Sequence, residues 1–191
     1  WNKKAWDLAE KKILIIGYGR IGSRVVKRAL AFEMKVYVYD PFVDNQVISS
    51  SGAIPTDNIQ DILYEMDAVS IHCPRNSETE NMFSRKEFDQ MKNTSFIINC
   101  ARGGIINEDD LCEALDNDNI AGAGLDVFDI EPAPKSNRIL NTKNVILSPH
   151  IAGVTVEATV RMARETVQNV LDVFDEKVNE NVIVNNEILR R

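Results

Sequence analysis

The chain has 191 residues, with 22 Lys and Arg against 29 Asp and Glu, a formal net charge of −7. Its 44% hydrophobic and 27% charged residues, with only 9 Gly and 6 Pro, are the composition of a folded domain with a sizeable core, which excludes a disordered or fibrous chain. The acidic balance argues against a nucleic-acid or membrane surface, no apolar run is long enough to span a bilayer, and two His with no C-x-x-C pair argue against a metal site.

The sparse cysteines, Cys73, Cys100 and Cys112, suit a reducing compartment, so a cytoplasmic location is expected. The start, Trp1 to Trp6, has neither a signal-peptide core nor an initiating Met, which suggests an internal or processed piece.

Strand-like and helix-like segments alternate along the chain. Lys12 to Ile16 (KILII) reads as a strand buried on both faces. Ile21, Val25, Val26, Ala29 and Leu30 then recur at helical spacing. Lys35 to Tyr39 is a second strand, ended by Asp40-Pro41. Asp57 to Tyr64 predicts a weak helix and Ala68 to Ile71 a third strand. Ser84 and Glu87 form a capping box ahead of Phe88 and Met91. Phe96 to Ile98 is a fourth strand, and Asn107 to Leu115 a helix with an Asn cap and acids in its first turn. The Gly-rich Ile120 to Val127 is a fifth strand and Val145 to Leu147 a sixth. A long amphipathic helix runs from Thr155 to about Phe174. This alternation predicts the α/β class: a doubly wound parallel sheet in one domain, with ligands outside the carboxyl ends of the strands.

The first strand-to-helix turn reads Gly17-Tyr18-Gly19-Arg20-Ile21-Gly22. Gly17 permits the tight turn, Gly19 lets backbone approach a pyrophosphate, and Gly22 lets helix and strand pack closely. The free N–H groups of the helix start face the anion. A G-x-G-x-x-G alone is weak, but here it lies between a strand and an amphipathic helix, and Asp40 ends the next strand at the distance expected of a ribose-binding acid. The pattern is that of a Rossmann-type dinucleotide site. Asp40 repels a 2′-phosphate and favours NAD over NADP, an inference that Arg20 beside the phosphates leaves open.

Three more strand ends carry reactive residues: Asn99 to Gly104 with Arg102, Asp126 to Pro132 with Glu131, and Ser148 to Gly153 with His150. Taken singly, each is unremarkable: a surface Arg, a turn Glu before Pro, a loop His. Together, beside a dinucleotide loop, they suit hydride transfer at an alcohol or carbonyl carbon. Imidazole, which titrates near neutrality, can take or give the hydroxyl proton. A carboxylate on the far ring nitrogen fixes the tautomer and favours imidazolium. An Arg can clamp a substrate carboxylate in bidentate fashion. His72, in His72-Cys73-Pro74, reads as a structural or cofactor-wall residue.

On these residues the chain resembles the cofactor-binding portion of the D-isomer-specific 2-hydroxyacid dehydrogenases, from about Leu8 to Asn179. GYGRIG, HCP with Thr79 beyond, NCARGG, AGAGLDVFDIEP and SPHIAG carry the resemblance, and NCARGGI with GLDVFDIEP looks most like the phosphoglycerate dehydrogenase-like branch. The resemblance implies catalytic roles for Arg102 (substrate carboxylate and carbonyl), His150 (general acid/base) and Glu131 (its partner). It implies that Arg20 and Ile21 meet the pyrophosphate and Asp40 the ribose. Cys73, Pro74 and Thr79 would line the adenine side, Cys100 and Ala101 the nicotinamide half. Asp126 would hydrogen-bond the carboxamide and Gly153 lie near the ring. A Glu rather than a Gln as the His partner favours hydroxy or keto acids over formate.

By the same resemblance, residues 1–177 would be the dinucleotide-binding domain with a leading inter-domain helix. Residues 178–191 would be a tail of the substrate lobe, most of which the chain lacks. The expected activity is hydride transfer between NAD and a small D-2-hydroxy or 2-keto acid, by a homodimer. A hydroxypyruvate or glyoxylate reductase, an NADH-sensing corepressor-like protein, and a methyltransferase using S-adenosylmethionine are the competing readings. The last explains neither Arg102 nor His150.

Overall fold

A computed structural model describes residues 5–177, 179–183 and 185. The chain resolves into two compact units, Trp1–His150 and Ile151–Arg191.

The first unit is built on one sheet whose strands, in chain order, are β1 (Lys12–Ile16), β2 (Lys35–Tyr39), β3 (Ile54–Pro55), β4 (Ala68–Ile71), β5 (Phe96–Asn99), β6 (Gly122–Leu125) and β7 (Val145–Leu147). Their spatial order is β3-β2-β1-β4-β5-β6-β7, and every neighbouring pair is parallel. The chain winds outward from β1 to β3, then crosses back to lay β4 on the other side of β1. The order reverses there, so a crevice opens at the carboxyl ends of β1 and β4.

The helices of this unit are α1 (Gly22–Ala31), α2 (Asn45–Ser50), α3 (Arg85–Phe88) and α4 (Glu108–Asp116). Alternation along β1 divides the core into two layers. Leu14 and Ile16 join Val69, Ile71, Ile97, Phe83 and Phe88 on one face, while Ile13 and Ile15 join Val26, Val36, Val38 and Ile48 on the other. A strand buried on both faces must be apolar throughout, which explains KILII. The capping box forms: Glu87, itself buried, accepts the Ser84 N–H at 3.1 Å and its hydroxyl at 2.8 Å. Asn107 caps α4 by accepting the Asp110 N–H at 3.0 Å.

Three local readings change. Asp57 to Tyr64 forms two separate 3₁₀ turns, Ile59–Asp61 and Leu63–Glu65, because Ile62 at φ −128° leaves helical geometry between them. The six expected strands become seven, since the two-residue β3 is too short to show a period. It is preceded by α2, a single turn and a half opened by Asp44, which accepts the Gln46 N–H at 2.7 Å.

The second unit opens with a turn and continues as α5 (Val156–Phe174), capped by Thr155, whose hydroxyl accepts the Ala158 N–H at 3.0 Å. Val156, Val160, Val167, Leu171 and Phe174 recur along it at helical spacing. The break between units falls after His150. The first described residues, 5–8, carry no helix. Of the expected tail 178–191, positions 178, 184 and 186–191 lie outside the described residues. Among the described residues no helix is long and apolar enough to cross a membrane.

Candidate active site

Parallel strands deliver all the loops that follow them to one edge of the sheet. At the crevice, Gly17 turns with φ +94° and donates its N–H to the Tyr39 carbonyl at 2.8 Å. A side chain there would press on the His72 and Cys73 backbone at 2.9 Å. The Asp40 carboxylate orients the turn: Oδ2 accepts the Tyr18 N–H at 2.7 Å and Oδ1 the Phe42 N–H at 2.9 Å. Helix α1 starts at Gly22 with no side-chain cap and no acid in its first turn, so its N-terminal dipole is available to an anion. A Cβ on Gly19 would meet nothing within 4 Å, which leaves room for a ligand to come close to the backbone.

Beside this turn lies a cavity of about 190 Å³ lined by Gly17, Gly19, Asp40, Cys73, Pro74 and Thr79. His72 also lines it, together with Phe42, Met82 and others that sequence reasoning missed. The 74–79 wall holds itself in shape: the Thr79 hydroxyl donates to the Pro74 carbonyl at 2.7 Å and accepts the Asn76 N–H at 2.8 Å. A pocket with a phosphate-ready helix start at one side and a carboxylate at a strand end fits the adenosine half of a dinucleotide. Arg20, Ile21 and Gly22 belong to the turn but not to the cavity lining.

Two ionisable groups in this wall are held neutral. Burial pushes the Cys73 thiol up to about 11, with Asp40 adding to the effect. Burial also lowers His72, whose Nε2 shares a hydrogen bond with the Ser70 hydroxyl at 2.9 Å. A thiol titrating near 11 is ionised in only about one molecule in a thousand at pH 8. Iodoacetamide at pH 8 is therefore expected to leave Cys73 unmodified, with labelling rising as the pH climbs toward 11. The exposed Cys100 should react first. Peptide mass spectrometry across a pH series reads both.

Further along the edge, the loops after β5, β6 and β7 lie side by side. His150 Nδ1 meets Glu131 Oε2 at 2.6 Å, and Glu131 Oε1 accepts the Phe128 N–H at 3.0 Å. Both oxygens of the carboxylate are thus engaged, and these two hydrogen bonds hold Glu131 below the usual carboxylate range. His150 sits at φ +54°, its backbone N–H pinned to the Asp126 carbonyl at 2.8 Å. Asp126 is buried and accepts the Ser148 hydroxyl at 2.6 Å. With Nδ1 turned to the carboxylate, Nε2 is the ring nitrogen that can reach a reacting group.

Arg102 stands on the neighbouring loop, exposed, its guanidinium donating to the Ala101 carbonyl at 2.5 Å. Buried Asn99 shapes this loop: its amide donates to the Arg102 carbonyl at 2.9 Å and accepts the Ala101 N–H at 3.0 Å. Cys100 is exposed and Ala101 packs against the core. Gly153 belongs to the second unit, in the turn before α5. The structure thus joins Glu131 to His150 directly, places Arg102 on the adjoining loop, and groups Asp40, Cys73, Pro74 and Thr79, the residues expected on the adenosine side, in a separate cavity. Asn99 and Ser148 were legible as members of NCARGG and SPH, but nothing in the sequence said that they brace the loops.

The sequence profile of the family described as "D-isomer specific 2-hydroxyacid dehydrogenase, NAD binding domain" matches residues 1–152. The chain belongs to that family. Among its relatives, D-3-phosphoglycerate dehydrogenase of Bacillus subtilis (strain 168) is 38% identical over 90% of this chain and 33% of its own length. A glyoxylate reductase of Thermofilum pendens (strain DSM 2475 / Hrk 5) is 35% identical over 96% of this chain and 54% of its own. The solved D-lactate dehydrogenase of Aquifex aeolicus, complexed with NAD and lactic acid, superposes with a TM-score of 0.82 at 32% identity, covering 91% of this chain and 56% of that one. The chain therefore spans about a third to a half of the length of these relatives. The family's NAD-binding domain is what the first unit builds, with NAD as its cofactor.

Proposed function

We propose that the protein interconverts a small D-2-hydroxy acid and the matching 2-keto acid with NAD, as a phosphoglycerate dehydrogenase-like enzyme. The observation that carries this reading is the His150–Glu131 pair at 2.6 Å, at the same sheet edge as the glycine turn. NADH, when bound, supplies the hydride. The turn 17–22 and Asp40 would seat the pyrophosphate and ribose, with Cys73, Pro74 and Thr79 against the adenine. Cys100, Ala101, Asp126 and Gly153 are assigned to the nicotinamide end.

Arg102 holds the substrate carboxylate and polarises the carbonyl. Imidazolium at His150 gives its Nε2 proton to the carbonyl oxygen during reduction, and Glu131 holds the ring and offsets its charge. In the oxidative direction the same nitrogen takes the hydroxyl proton. The phosphoglycerate assignment draws on the Bacillus subtilis relative, and the glyoxylate reductase is the principal rival within the class. The unpaired cysteines are consistent with a cytoplasmic site, and the reading expects a homodimer.

The test follows NADH absorbance with the whole gene product and 3-phosphoglycerate, hydroxypyruvate, glyoxylate and pyruvate, alongside its mass by light scattering. Turnover of 3-phosphoglycerate above the others is expected. Tight NADH binding with no turnover of any of them sinks the enzymatic reading and leaves an NADH-responsive binding protein.

A further inference from the structure

The wall of the adenosine cavity and the loop that carries Arg102 follow different strands, β4 and β5, yet they are tied together. The Asn81 N–H donates to the Gly104 carbonyl at 2.8 Å, the Phe83 N–H donates to the Ile105 carbonyl at 3.1 Å, and the Asn107 N–H donates to the Phe83 carbonyl at 2.8 Å. A side chain makes a further tie. The Arg75 guanidinium lies against Gly104 so closely that a Cβ there would stand 2.5 Å from its Cζ and 2.7 Å from Nε and Nη1. Gly104 has φ +76°, a left-handed conformation that brings its backbone within reach. On its other side Arg75 is held by Glu80, Nη2 to Oε1 at 2.5 Å.

The loop after β6 comes close as well: a Cβ on Gly103 would stand 2.8 Å from the Asp129 nitrogen, and the Gly104 backbone and the charge of Arg75 both bear on the Asp129 carboxyl, which burial raises on balance. The Asp129 N–H donates in turn to Glu108 Oε1 at 2.6 Å. The adjacent Gly103 leaves no room for a side chain, since a Cβ would overlap the Phe128 carbonyl, and Phe128 is the residue whose N–H holds Glu131. Arg75 therefore stands where the loops after β4, β5 and β6 converge. A half-exposed Arg–Glu pair is worth little as a surface ion pair. A planar guanidinium wedged against backbone is a different matter, because its shape and donor fork set the position of what it touches.

We propose that Arg75 is a positioning residue: packed on Gly104, next to the Gly103 that abuts Phe128, it fixes the Arg102 loop against the loop that carries Glu131, and so presents Arg102 to the substrate carboxylate in register with His150. This rests on the function proposed above. Arg75 does not line the cavity, whose 74–79 wall has its own Thr79 and Asn76 bonds.

The experiment compares the whole protein with its Arg75→Ala and Arg75→Lys variants, measuring KM and kcat for the best keto acid, Kd for NADH by fluorescence, and melting temperature. Arg75→Ala is expected to raise the keto-acid KM about tenfold, and Arg75→Lys, which keeps charge without the planar fork, about threefold. Both should leave the NADH Kd within about twofold. An unchanged KM in either folded variant overturns the inference, as does an NADH Kd that rises in step with KM. If Arg75→Ala shows no melting transition, Arg75→Lys decides alone. A wild type that binds NADH and turns over neither 3-phosphoglycerate nor any keto acid overturns the proposed function and this inference with it, whereas an active wild type with indifferent variants overturns this inference only.

Discussion

His150→Asn is expected to slow keto-acid reduction by about a hundred- to ten-thousand-fold, the range that a positioned general acid contributes. Asn suits the site because His150 occupies the left-handed region at φ +54°, which Asn adopts more readily than Ala does. The backbone tie to the Asp126 carbonyl at 2.8 Å can then persist, so the loop keeps its course while the proton donor is gone. The cavity beside the glycine turn, where NAD is proposed to seat its adenosine half, lies around other residues, so the NADH Kd should stay within about twofold of wild type. Stopped-flow reduction kinetics and a fluorescence titration read the two separately. Full turnover in folded His150→Asn protein would remove His150 from the mechanism.

Gly22→Ala is expected to damage folding and cofactor binding together. An added Cβ would overlap the carbonyl of Gly17, in the same glycine turn. Either α1 lifts from the turn or the turn opens, and both displace the helix start from the place where it would face the pyrophosphate. Overpacking of this kind costs about 1–3 kcal/mol of stability, and we expect NADH affinity to fall at least about a hundredfold, or some 2.7 kcal/mol. Gly19→Ala supplies the contrast. Its Cβ meets nothing within 4 Å, so stability should hold while a ligand that needs close backbone approach is weakened. Urea denaturation and NADH titration of the two variants distinguish packing from approach. Equal NADH binding by wild type and Gly22→Ala would show that the turn does not seat the cofactor.

Much of this architecture is legible in the chain because its signals are local. The KILII run, the Gly17-x-Gly19-x-x-Gly22 turn and Asp40 lie within 29 residues, and each has a short-range cause: burial on both faces, a tight turn, a strand end. The Ser84–Glu87 box and the Asn107 and Thr155 caps likewise need only neighbouring residues. Asp57 to Tyr64 misleads for the opposite reason. Its apolar spacing suits a helix, but Ile59 and Leu63, fully buried against the core, are placed equally well by two separate 3₁₀ turns. The two-residue β3 exists only because β2 offers it a partner, a condition that no window of sequence can show.

The candidate site divides along the same line. Arg102, Glu131 and His150 could be singled out because each follows a strand in a parallel sheet. The 2.6 Å contact between Glu131 and His150, 19 positions apart in sequence, depends on two adjacent strands ending at one level. Asp126 reads as one acid among several in its loop, and its place beneath the Ser148 hydroxyl and the His150 backbone appears only when β6 and β7 pair.

The sequence by itself determined which residue types stand at the strand ends and that the turn after β1 has the glycine pattern of a dinucleotide loop, because strand period, glycine turns and caps act over a few residues. Tertiary structure alone decided which of those residues touch: the Glu131–His150 pair, the place of Asp126 under Ser148, and the wedge of Arg75 on Gly104. Contacts between loops from different strands follow from sheet order and register, and those are set by the packing of the whole domain.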